Sequence, residues 1–313
     1  MQRLRVGMIG WGTVGAALGE LIAGGPLSVE LVRLGVRDTA RERASALPRG
    51  VEVGSAQEVL EADVDAVVEL AGGVDAPLEW ARETLARGRP YVTANKALLA
   101  THGGDLAQLA TAHTGAALLA SASVGGGTPM IETVEHLAAT GTITHLRGTL
   151  NATTTFILSA MAQGGGYPEA VAAAQEAGYA EADPSFDVEG RDAAQKLAIL
   201  ASVAWGRWRP ERDVETHGIV GTSLGIGRIV RLVAEADEER LWVGPMELRR
   251  GGPLASGSGV EGVLEIEMRD AGTVRVRGPG AGGRVTAGAV YADLARLIAG
   301  ERPIIFAPRG GGS

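Results

Sequence analysis

Lys196 and Asp192 stand four residues apart in the segment DAAQKLAIL, so a helix there places both side chains on one face. The chain has 29 basic residues, and only two of them, Lys96 and Lys196, are lysines. A lysine withdrawn from water can release and regain a proton, whereas an arginine keeps its charge. Because this helix is polar before Lys196 and apolar on every side after it, we expect Lys196 where the helix enters the core. The pair predicts either acid–base chemistry or an exposed ion pair worth about 0.3–0.5 kcal/mol.

Acidic residues crowd the segment just before this helix. Within twelve residues, GYAEADPSFDVEGRD contains five carboxylates: Glu181, Asp183, Asp187, Glu189 and Asp192. One interpretation is a solvated loop that caps the next helix, since acidic side chains favour helix N-termini. The other is a binding site for a cationic group, such as the ammonium of an amino acid. Charge alone does not separate the two.

Asparagine is as rare as lysine in this chain. The two asparagines are Asn95, beside Lys96 in VTANKALLA, and Asn151, in GTLNATTTFIL. Both segments have the pattern of loops that follow strands, and α/β proteins build their sites at strand ends. We therefore expect both segments to contribute to a site, with chance placement as the alternative.

A glycine-rich loop follows the first apolar run. RVGMIGWGTVG places Gly10, Gly12 and Gly15 in the G-x-G-x-x-G spacing, between a predicted strand and a predicted helix. The first glycine permits a tight turn, the second lets a pyrophosphate approach the backbone, and the third allows close helix–strand packing. The phosphates then lie at the helix N-terminus, whose free N–H groups favour anions. This spacing predicts a dinucleotide site, with a purely structural turn as the alternative.

The residues after the second predicted strand bear on the choice of dinucleotide. The segment GVRD offers Arg37, which suits a 2′-phosphate, and Asp38, which suits a ribose hydroxyl. Arg41 adds a second cation nearby. We therefore expect NADP, with NAD as the alternative cofactor and an exposed turn of mixed charge as the structural alternative.

The two parts of the chain have different patterns. Residues 3–125 alternate short β-branched runs with amphipathic helical stretches, which predicts an α/β fold with a doubly wound parallel sheet of the Rossmann type. The chain is then mainly helical to residue 206 and richer in strands beyond it, which predicts an α+β domain. We place the dinucleotide-binding domain at 1–127 and the substrate-binding and catalytic domain at 128–284. A C-terminal helix, in about 285–313, is expected to pack back on the first domain.

Composition and charge exclude several classes of protein. The net charge is −8 and the pI about 5.3, so no general attraction to nucleic acid or anionic membranes is expected. The sequence has neither a signal-peptide pattern nor a run of about 18 apolar residues, and we expect a cytoplasmic protein. It contains no cysteine, which excludes disulfides, thiolate metal sites and cysteine nucleophiles. Its five histidines lack metal-ligand spacing.

Taken together, several segments resemble the homoserine dehydrogenase family. The similar motifs occur in the family's order, from residue 10 to about 290: GWGTVG, VTANKALLA, SVGGGTP, GTLNATTTFIL, GYAEADPSFDVEGRDAAQKLAIL and GPGAGGRVTAGAV. Members catalyse the reversible NAD(P)H-dependent reduction of L-aspartate 4-semialdehyde to L-homoserine, in threonine and methionine biosynthesis. The resemblance implies this reaction, and also a homodimer that pairs through the sheet of the second domain.

The resemblance also implies roles for individual residues. Lys196 would be the general acid/base, Asp192 its supporting carboxylate, and Lys96 a contact to substrate and cofactor. The implied substrate-binding residues are Glu181, Asp187, Tyr179, Thr153 and Asp183. The glycine loop, the end of the second strand and the resemblance together predict these cofactor-binding residues: Gly10, Gly12, Thr13, Val14, Gly15, Arg37, Ala71, Thr93, Asn95, Lys96 and Gly280. In such a reaction charge develops on the aldehyde oxygen, where a nearby ammonium can supply a proton.

The chain departs from the family pattern in several places. Ser121 stands where members commonly carry a glutamate that helps to bind a monovalent cation, so no metal site is firmly predicted. The candidate cation ligands are Val124, Gly126 and Thr128. Ala152 replaces a usual glycine close to the expected substrate, and Trp11 is bulkier than the residue usual between the first two glycines. The chain ends soon after the last motif, so we expect no C-terminal regulatory domain and no threonine inhibition through one.

Other functions compete with this interpretation. An acylating semialdehyde dehydrogenase is excluded because it needs a cysteine nucleophile. An amino acid dehydrogenase that acts at Cα stays open and would release ammonia. A non-catalytic NADP-binding sensor would bind cofactor without turnover, and it gives no reason for two lysines among 29 basic residues.

Overall fold

The computed structural model of the chain describes residues 3–40, 47–222, 224–256 and 261–307. The chain divides into two compact units. Unit 1 comprises Met1–Gly127 and Gly282–Ser313, and unit 2 comprises Thr128–Ala281. Arg41 and residues 308–313 of the predicted C-terminal segment lie outside the described residues.

A parallel sheet forms the centre of unit 1. Its strands are β1 (Leu4–Ile9), β2 (Val29–Gly35), β3 (Glu52–Gly54), β4 (Ala66–Glu69), β5 (Pro90–Thr93) and β6 (Ala117–Leu119). Their order is β3-β2-β1-β4-β5-β6, and the neighbouring strands run parallel. The strand order reverses between β1 and β4, which is where doubly wound sheets bind ligands. The predicted Rossmann-type sheet is confirmed.

The central strands of this sheet are buried along their whole length. All four residues of β4 and all four of β5 are buried. Strands covered on both faces show this pattern, because neither set of alternating side chains meets water. Two polar side chains, Glu69 and Thr93, are nevertheless at 0% exposure at the ends of these strands.

Five α-helices belong to the described part of unit 1. They are α1 (Thr13–Gly24), α2 (Ala56–Glu61), α3 (Asp75–Ala86), α4 (Lys96–Ala112) and α10 (Gly283–Ile298). The last of them packs against α1. Its Tyr291 hydroxyl accepts a hydrogen bond from the backbone N–H of Leu27 at 3.0 Å, just beyond the end of α1. The C-terminal helix is therefore part of the core of unit 1.

Unit 2 contains a second, mixed sheet. Its strands are β7 (Ile143–Thr149), β8 (Val214–Thr216), β9 (Val230–Ala236), β10 (Leu241–Glu247), β11 (Glu261–Met268) and β12 (Gly272–Pro279). Their order is β12-β11-β7-β9-β10-β8, in which only the pair of β10 with β8 is parallel among the described strands. The predicted second sheet is confirmed. Six of the seven residues of β9 are buried, so this strand lacks the alternating pattern of a half-buried strand.

The helices of unit 2 include the one that carries Asp192 and Lys196. They are α5 (Met130–Thr140), α6 (Ala152–Ala162), α7 (Tyr167–Glu176), α8 (Ser185–Val188) and α9 (Arg191–Trp205). Left-handed glycines bound α9 at both ends, Gly190 with φ of 86° and Gly206 with φ of 62°. The helix is buried from Asp192 to Ala204 except at Lys196, as its apolar pattern predicts. Among the described helices of both units, none is long and apolar enough to cross a membrane.

Candidate active site

Lys196 forms a short and largely buried ion pair with Asp192. Its Nζ lies 2.7 Å from Asp192 Oδ2, and the two side chains are 15% and 10% exposed. Nζ also donates to the carbonyl oxygen of Leu150 at 2.7 Å. The alternative interpretation, an exposed ion pair, is therefore wrong, because both partners are withdrawn from water. Two acceptors hold two of the three ammonium N–H groups, which leaves one for a further acceptor.

Asn151 joins this ion pair to a second carboxylate. The residue is 4% exposed and follows β7, where its Oδ1 caps α6 by accepting from Thr154 N at 2.8 Å. Its Nδ2 donates to Asp187 Oδ1 at 2.6 Å and to Asp192 Oδ2 at 2.8 Å. One amide group thus connects α6, α8 and α9. The rarity of asparagine indicated Asn151 in the sequence but predicted no specific role for it.

Charge is not balanced within this cluster. Burial raises the pKa of Asp187 above its ordinary value of 3.8, and the charge of Asp192 acts in the same direction. The hydrogen bond from Asn151 and the charge of Lys196 act in the opposite direction. With both carboxylates ionised, two negative charges face one ammonium. A cationic group of a ligand would compensate the excess negative charge.

Thr153 and Tyr179 fix the loop between α7 and α8 to α6. Thr153 is buried, and its hydroxyl donates to the carbonyl oxygen of Tyr179 at 2.6 Å. The Tyr179 ring stacks on Phe156 of α6, with 4.7 Å between the ring centroids. Both contacts hold the start of the acidic segment against the helix that Asn151 caps.

The acidic segment divides into an inner and an outer part. Glu181, Asp183 and Glu189 are exposed, whereas Asp187 and Asp192 point into the Asn151 cluster. Asp183 accepts a hydrogen bond from the N–H of Ser185 at 3.0 Å, and this bond lowers the pKa of Asp183. The solvated-loop interpretation therefore fits the outer carboxylates, and the binding-site interpretation fits the inner two.

In unit 1, the glycine loop has the geometry that a pyrophosphate requires. Gly10 adopts a φ of 107°, and a Cβ there would lie 2.6 Å from the carbonyl carbon of Leu70. A Cβ at Gly15 would lie 2.4 Å from the carbonyl oxygen of Gly10. A Cβ at Gly12 would meet no described atom within 4 Å. The first and third glycines are needed for packing, and the second faces open space where a ligand can approach.

The N-terminus of α1 is free to bind an anion. No side chain among the described residues caps this helix, so its first N–H groups lack the partners that capping provides. Thr13, its first residue, is exposed, and Val14 packs against the core. These features fit the phosphates of a dinucleotide.

Trp11 is accommodated by a glycine in α1. A Cβ at Gly19 would lie 2.4 Å from Trp11 Cη2, so the indole occupies the space that a side chain at this position would fill. The ring packs against the core of unit 1. This packing explains how the loop tolerates a bulky residue between its first two glycines.

Hydrogen bonds join the ends of β4 and β5. Thr93 Oγ1 donates to Glu69 Oε2 at 2.7 Å and accepts from Asn95 N at 3.0 Å. Asn95 caps α4 by accepting from Leu98 N at 3.1 Å, and its Nδ2 donates to the carbonyl oxygen of Gly73 at 2.7 Å. The sequence predicted Thr93 and Asn95 as cofactor-binding residues, and it predicted no role for Glu69.

The other predicted cofactor residues differ in exposure and in the element that they follow or begin. Arg37 and Asp38 are exposed just beyond β2, and Ala71 is exposed just beyond β4. Lys96 is the half-buried first residue of α4. Gly280 follows β12 and belongs to unit 2, so it does not share a unit with the rest.

Ser121, which stands where family members commonly carry a cation-binding glutamate, is hydrogen-bonded to a buried aspartate. Ser121 donates from Oγ to Asp293 Oδ1 at 2.6 Å and from N to Asp293 Oδ2 at 3.1 Å, and Asp293 of α10 is 0% exposed. Val124 is buried, Gly126 has a φ of 57°, and Thr128 Oγ1 donates to a carbonyl oxygen of β12 at 3.1 Å. No cluster of three or more His, Cys, Asp or Glu in the described part of the chain could hold a metal ion.

Comparison with known proteins covers both units. Two family models, described as homoserine dehydrogenase and as the NAD-binding domain of homoserine dehydrogenase, match residues 129–295 and 10–119. The chain is 35% identical to the homoserine dehydrogenase of Synechocystis sp., over 94% of this chain and 73% of that protein. It is 37% identical to the homoserine dehydrogenase of Mycobacterium leprae, over 92% of this chain and 71% of that protein.

Solved structures give the same result. A homoserine dehydrogenase from Thiobacillus denitrificans superposes with a TM-score of 0.90 at 31% identity, covering 98% of this chain and 78% of that one. A hyperthermophilic archaeal homoserine dehydrogenase in complex with NADPH gives a TM-score of 0.84 at 28% identity, covering 97% of this chain and 100% of that one. The chain therefore belongs to the homoserine dehydrogenase family of NAD(P)-dependent oxidoreductases.

Proposed function

We propose that this chain catalyses the reversible reduction of L-aspartate 4-semialdehyde to L-homoserine, with Lys196 as the general acid/base. The observation that carries the proposal is the nearly buried ammonium of Lys196, held by Asp192 and by the carbonyl oxygen of Leu150. Membership of the family supports the pair of substrates. The NADPH complex of the archaeal relative supports the cofactor.

Lys196 moves the proton of the reaction. When bound, NADPH supplies the hydride that the aldehyde carbon accepts. Lys196 donates its remaining N–H to the aldehyde oxygen and transfers that proton as negative charge develops there. In the oxidation direction the neutral amine takes the proton from the homoserine hydroxyl. Asp192 and the Leu150 carbonyl keep Nζ oriented throughout, since each lies 2.7 Å from it.

Asp187 is assigned to the amino group of the substrate. Asn151 occupies its Oδ1, and the second carboxylate oxygen is proposed to accept the substrate ammonium, which would balance the excess negative charge of the cluster. Glu181, Tyr179 and Thr153 would border the same end of the substrate. Asp183 would act indirectly, through the loop that it holds at Ser185.

Unit 1 is assigned to the cofactor, with NADP preferred over NAD. Gly10, Gly12 and Gly15 with the α1 N-terminus would hold the pyrophosphate. Arg37, which is exposed and forms no ion pair with a described residue, would bind the 2′-phosphate. The further proposed contacts in unit 1 are Thr13, Val14, Ala71, Asn95 and Lys96. Thr93, which is at 0% exposure, would act through its hydrogen bond with Asn95.

The proposal also includes assembly and location. A homodimer that pairs through the sheet of unit 2 is expected from the family resemblance, and β12 lies at an edge of that sheet. Analytical ultracentrifugation would test the dimer. A cytoplasmic location accompanies the biosynthetic role.

The decisive experiment compares the parent protein with Lys196→Arg in NADPH formation from NADP+ and L-homoserine. Arginine keeps the charge but cannot cycle a proton, so kcat should fall by about 10²- to 10⁴-fold while NADPH affinity is retained. Undiminished activity of the variant would contradict the role of Lys196. Parallel assays with NAD+ measure the cofactor preference, and an ammonia assay detects a dehydrogenase acting at Cα.

The matched control for this substitution lies on the same helix. Arg191 is the exposed first residue of α9, with a 3.5 Å ion pair to Glu211. Arg191→Lys makes the reverse exchange on the surface and should leave kcat unchanged, because surface ion pairs contribute about 0–1 kcal/mol.

A further inference from the structure

Glu69, the last residue of β4, is a buried carboxylate that the mechanism above does not use. It is 0% exposed, and no lysine or arginine in the described part of the chain forms an ion pair with it. Three donors hold it instead. Oε1 accepts from the N–H of Ala71 at 2.7 Å and of Gly72 at 2.9 Å, and Oε2 accepts from the Thr93 hydroxyl at 2.7 Å. A carboxylate at this depth destabilises the fold unless such donors compensate, so its position calls for a function.

The position of Glu69 in the sheet relates it to the cofactor. Ile9, Glu69 and Thr93 are neighbours across the sheet and are the last residues of β1, β4 and β5. Glu69 therefore lies at the carboxyl ends of the strands, beside the point where the strand order reverses. Dinucleotides bind in the crevice at this point, with one half of the molecule on each side.

The donors of Glu69 belong to one closed network. Thr93 also accepts the N–H of Asn95, and Asn95 Nδ2 bonds the carbonyl oxygen of Gly73, which follows Gly72. Glu69 thus lies inside a ring of contacts that fixes the turn after β4 to the start of α4. Removing its carboxylate would release both the turn and the Thr93 hydroxyl.

The turn held by Glu69 borders open space and the phosphate loop. Gly72 and Gly73 have φ values of 72° and 83°, and a Cβ at either would meet no described atom within 4 Å. At the other end of the turn, a Cβ at Gly10 would collide with the backbone of Leu70 and Ala71, at 2.6 to 2.8 Å. The turn therefore supports the phosphate loop on one side and presents bare backbone on the other.

We propose that Glu69 is a positioning residue for the nicotinamide half of the cofactor. It acts through the backbone of Ala71 and Gly72 and, through Thr93, on Asn95. In this fold the β1–β3 side of the sheet takes the first mononucleotide and the β4–β6 side takes the second. This inference rests on the proposed function for the identity of the cofactor.

The test is the dissociation constant of NADPH, measured by fluorescence titration without substrate. Glu69→Leu has a similar volume and no acceptor, and it should weaken NADPH binding about tenfold or more, because three hydrogen bonds are lost. Glu69→Gln should stay within about threefold of the parent, since its amide oxygen can accept both N–H groups and its NH₂ can donate to Thr93. At saturating cofactor, the KM for homoserine should be unchanged in both variants.

A pair of threonine substitutions keeps the test decisive if Glu69→Leu does not fold. Thr93→Val removes the donor to Glu69 and should weaken NADPH binding about three- to tenfold. Thr84→Val is the matched control, because Thr84 of α3 is 2% exposed and its hydroxyl has no hydrogen-bond partner among the described residues. The control should bind NADPH as the parent does.

Two results would overturn the role of Glu69. One is parental NADPH affinity in folded Glu69→Leu or, where that variant does not fold, in Thr93→Val. The other is a Glu69→Gln variant as weak as Glu69→Leu, which would assign the effect to charge and not to positioning. If the parent protein binds NADPH but does not oxidise homoserine, only the proposed function is contradicted. The comparison of NADPH affinity between parent and variants does not depend on turnover.

Discussion

Two junctions in this molecule use the same local device for different purposes. In unit 1, β5 is followed by Asn95 and α4, and in unit 2, β7 is followed by Asn151 and α6. Both asparagines accept the N–H of the third residue after them through Oδ1, at 3.1 and 2.8 Å. Each therefore provides a helix cap, which is worth about 1 kcal/mol relative to alanine.

The difference lies in the other half of the amide group. Asn95 Nδ2 donates to one neutral acceptor, the carbonyl oxygen of Gly73 at 2.7 Å. Asn151 Nδ2 donates to the carboxylates of Asp187 and Asp192. Hydrogen bonds to buried charged groups are stronger than those to neutral ones. A capping side chain can therefore either fix a loop or hold two carboxylates together, depending on which acceptors its NH₂ group meets.

Among the substitutions at these junctions, Asn151→Asp should have the largest effect on activity. Aspartate keeps the helix cap but removes the NH₂ donor and places a third carboxylate beside Asp187 and Asp192. Two charge-assisted hydrogen bonds are lost and repulsion is added, so kcat/KM for homoserine should fall by about 10²- to 10³-fold. Steady-state kinetics measure this change. The NADPH dissociation constant should stay at the parental value.

The same substitution at the other junction is the matched control. Asn95→Asp also keeps its cap but loses only the bond to Gly73, so NADPH binding should weaken about five- to tenfold. Its kcat at saturating cofactor should change little. If Asn151→Asp instead weakened NADPH binding and left kcat intact, the distinction between the two junctions would be wrong.

A third junction between a strand and a helix differs from these two, because its helix has no side-chain cap among the described residues. Gly12 precedes α1, and the described residues supply no capping side chain there. We expect Gly12→Ser to provide the missing cap and to place a side chain where the pyrophosphate approaches. NADPH binding should weaken about tenfold, while the unfolding temperature without cofactor stays equal or rises slightly, since serine caps exceed glycine by a few tenths of a kcal/mol. Titration and thermal unfolding measure the two effects.

The other end of α1 provides the control for this serine. A Cβ at Gly24, the last residue of the helix, would also meet no described atom within 4 Å. Gly24→Ser should leave NADPH affinity unchanged. Equal affinity of Gly12→Ser and the parent would mean that the α1 N-terminus does not hold the phosphates.

Local patterns predicted the parts of the site that depend on local geometry. The glycine spacing and the helical separation of Asp192 and Lys196 are properties of single elements, and both appear as expected. The contacts of Asn151 with Asp187 and Asp192 join residues 36 and 41 positions apart, and Glu69 meets Thr93 across 24 positions. No periodicity encodes such pairs, because they arise only when the elements pack.

The same reason explains why the sequence did not predict the burial of Glu69. In the sequence it follows the apolar residues Ala66–Val68, where a charged residue normally lies at the surface. It is buried because β1 and β5 flank β4 and because the turn at Ala71 and Gly72 folds back over it. The burial of a strand end depends on its neighbours in the sheet and not on its own residues.

The smallest expected effect concerns stability at the Asn151 junction. Burial raises the pKa of Asp187 in the folded protein above its ordinary value of 3.8. Between the unfolded and the folded pKa, the folded state binds more protons, so stability falls as the pH rises through that window and stays lower above it. Asp187→Asn keeps an oxygen that can accept from Asn151 and removes this titration.

The unfolding temperature of Asp187→Asn should therefore match the parent near pH 4 and exceed it slightly at pH 7 to 8. Thermal unfolding across this range measures the difference. A constant offset at every pH would show that Asp187 does not titrate between the two states. The same variant should raise the KM for homoserine, because it loses the charge proposed to bind the substrate ammonium. Higher stability together with a higher KM for homoserine would show that the Asp187 carboxylate is retained for substrate binding and not for the stability of the fold.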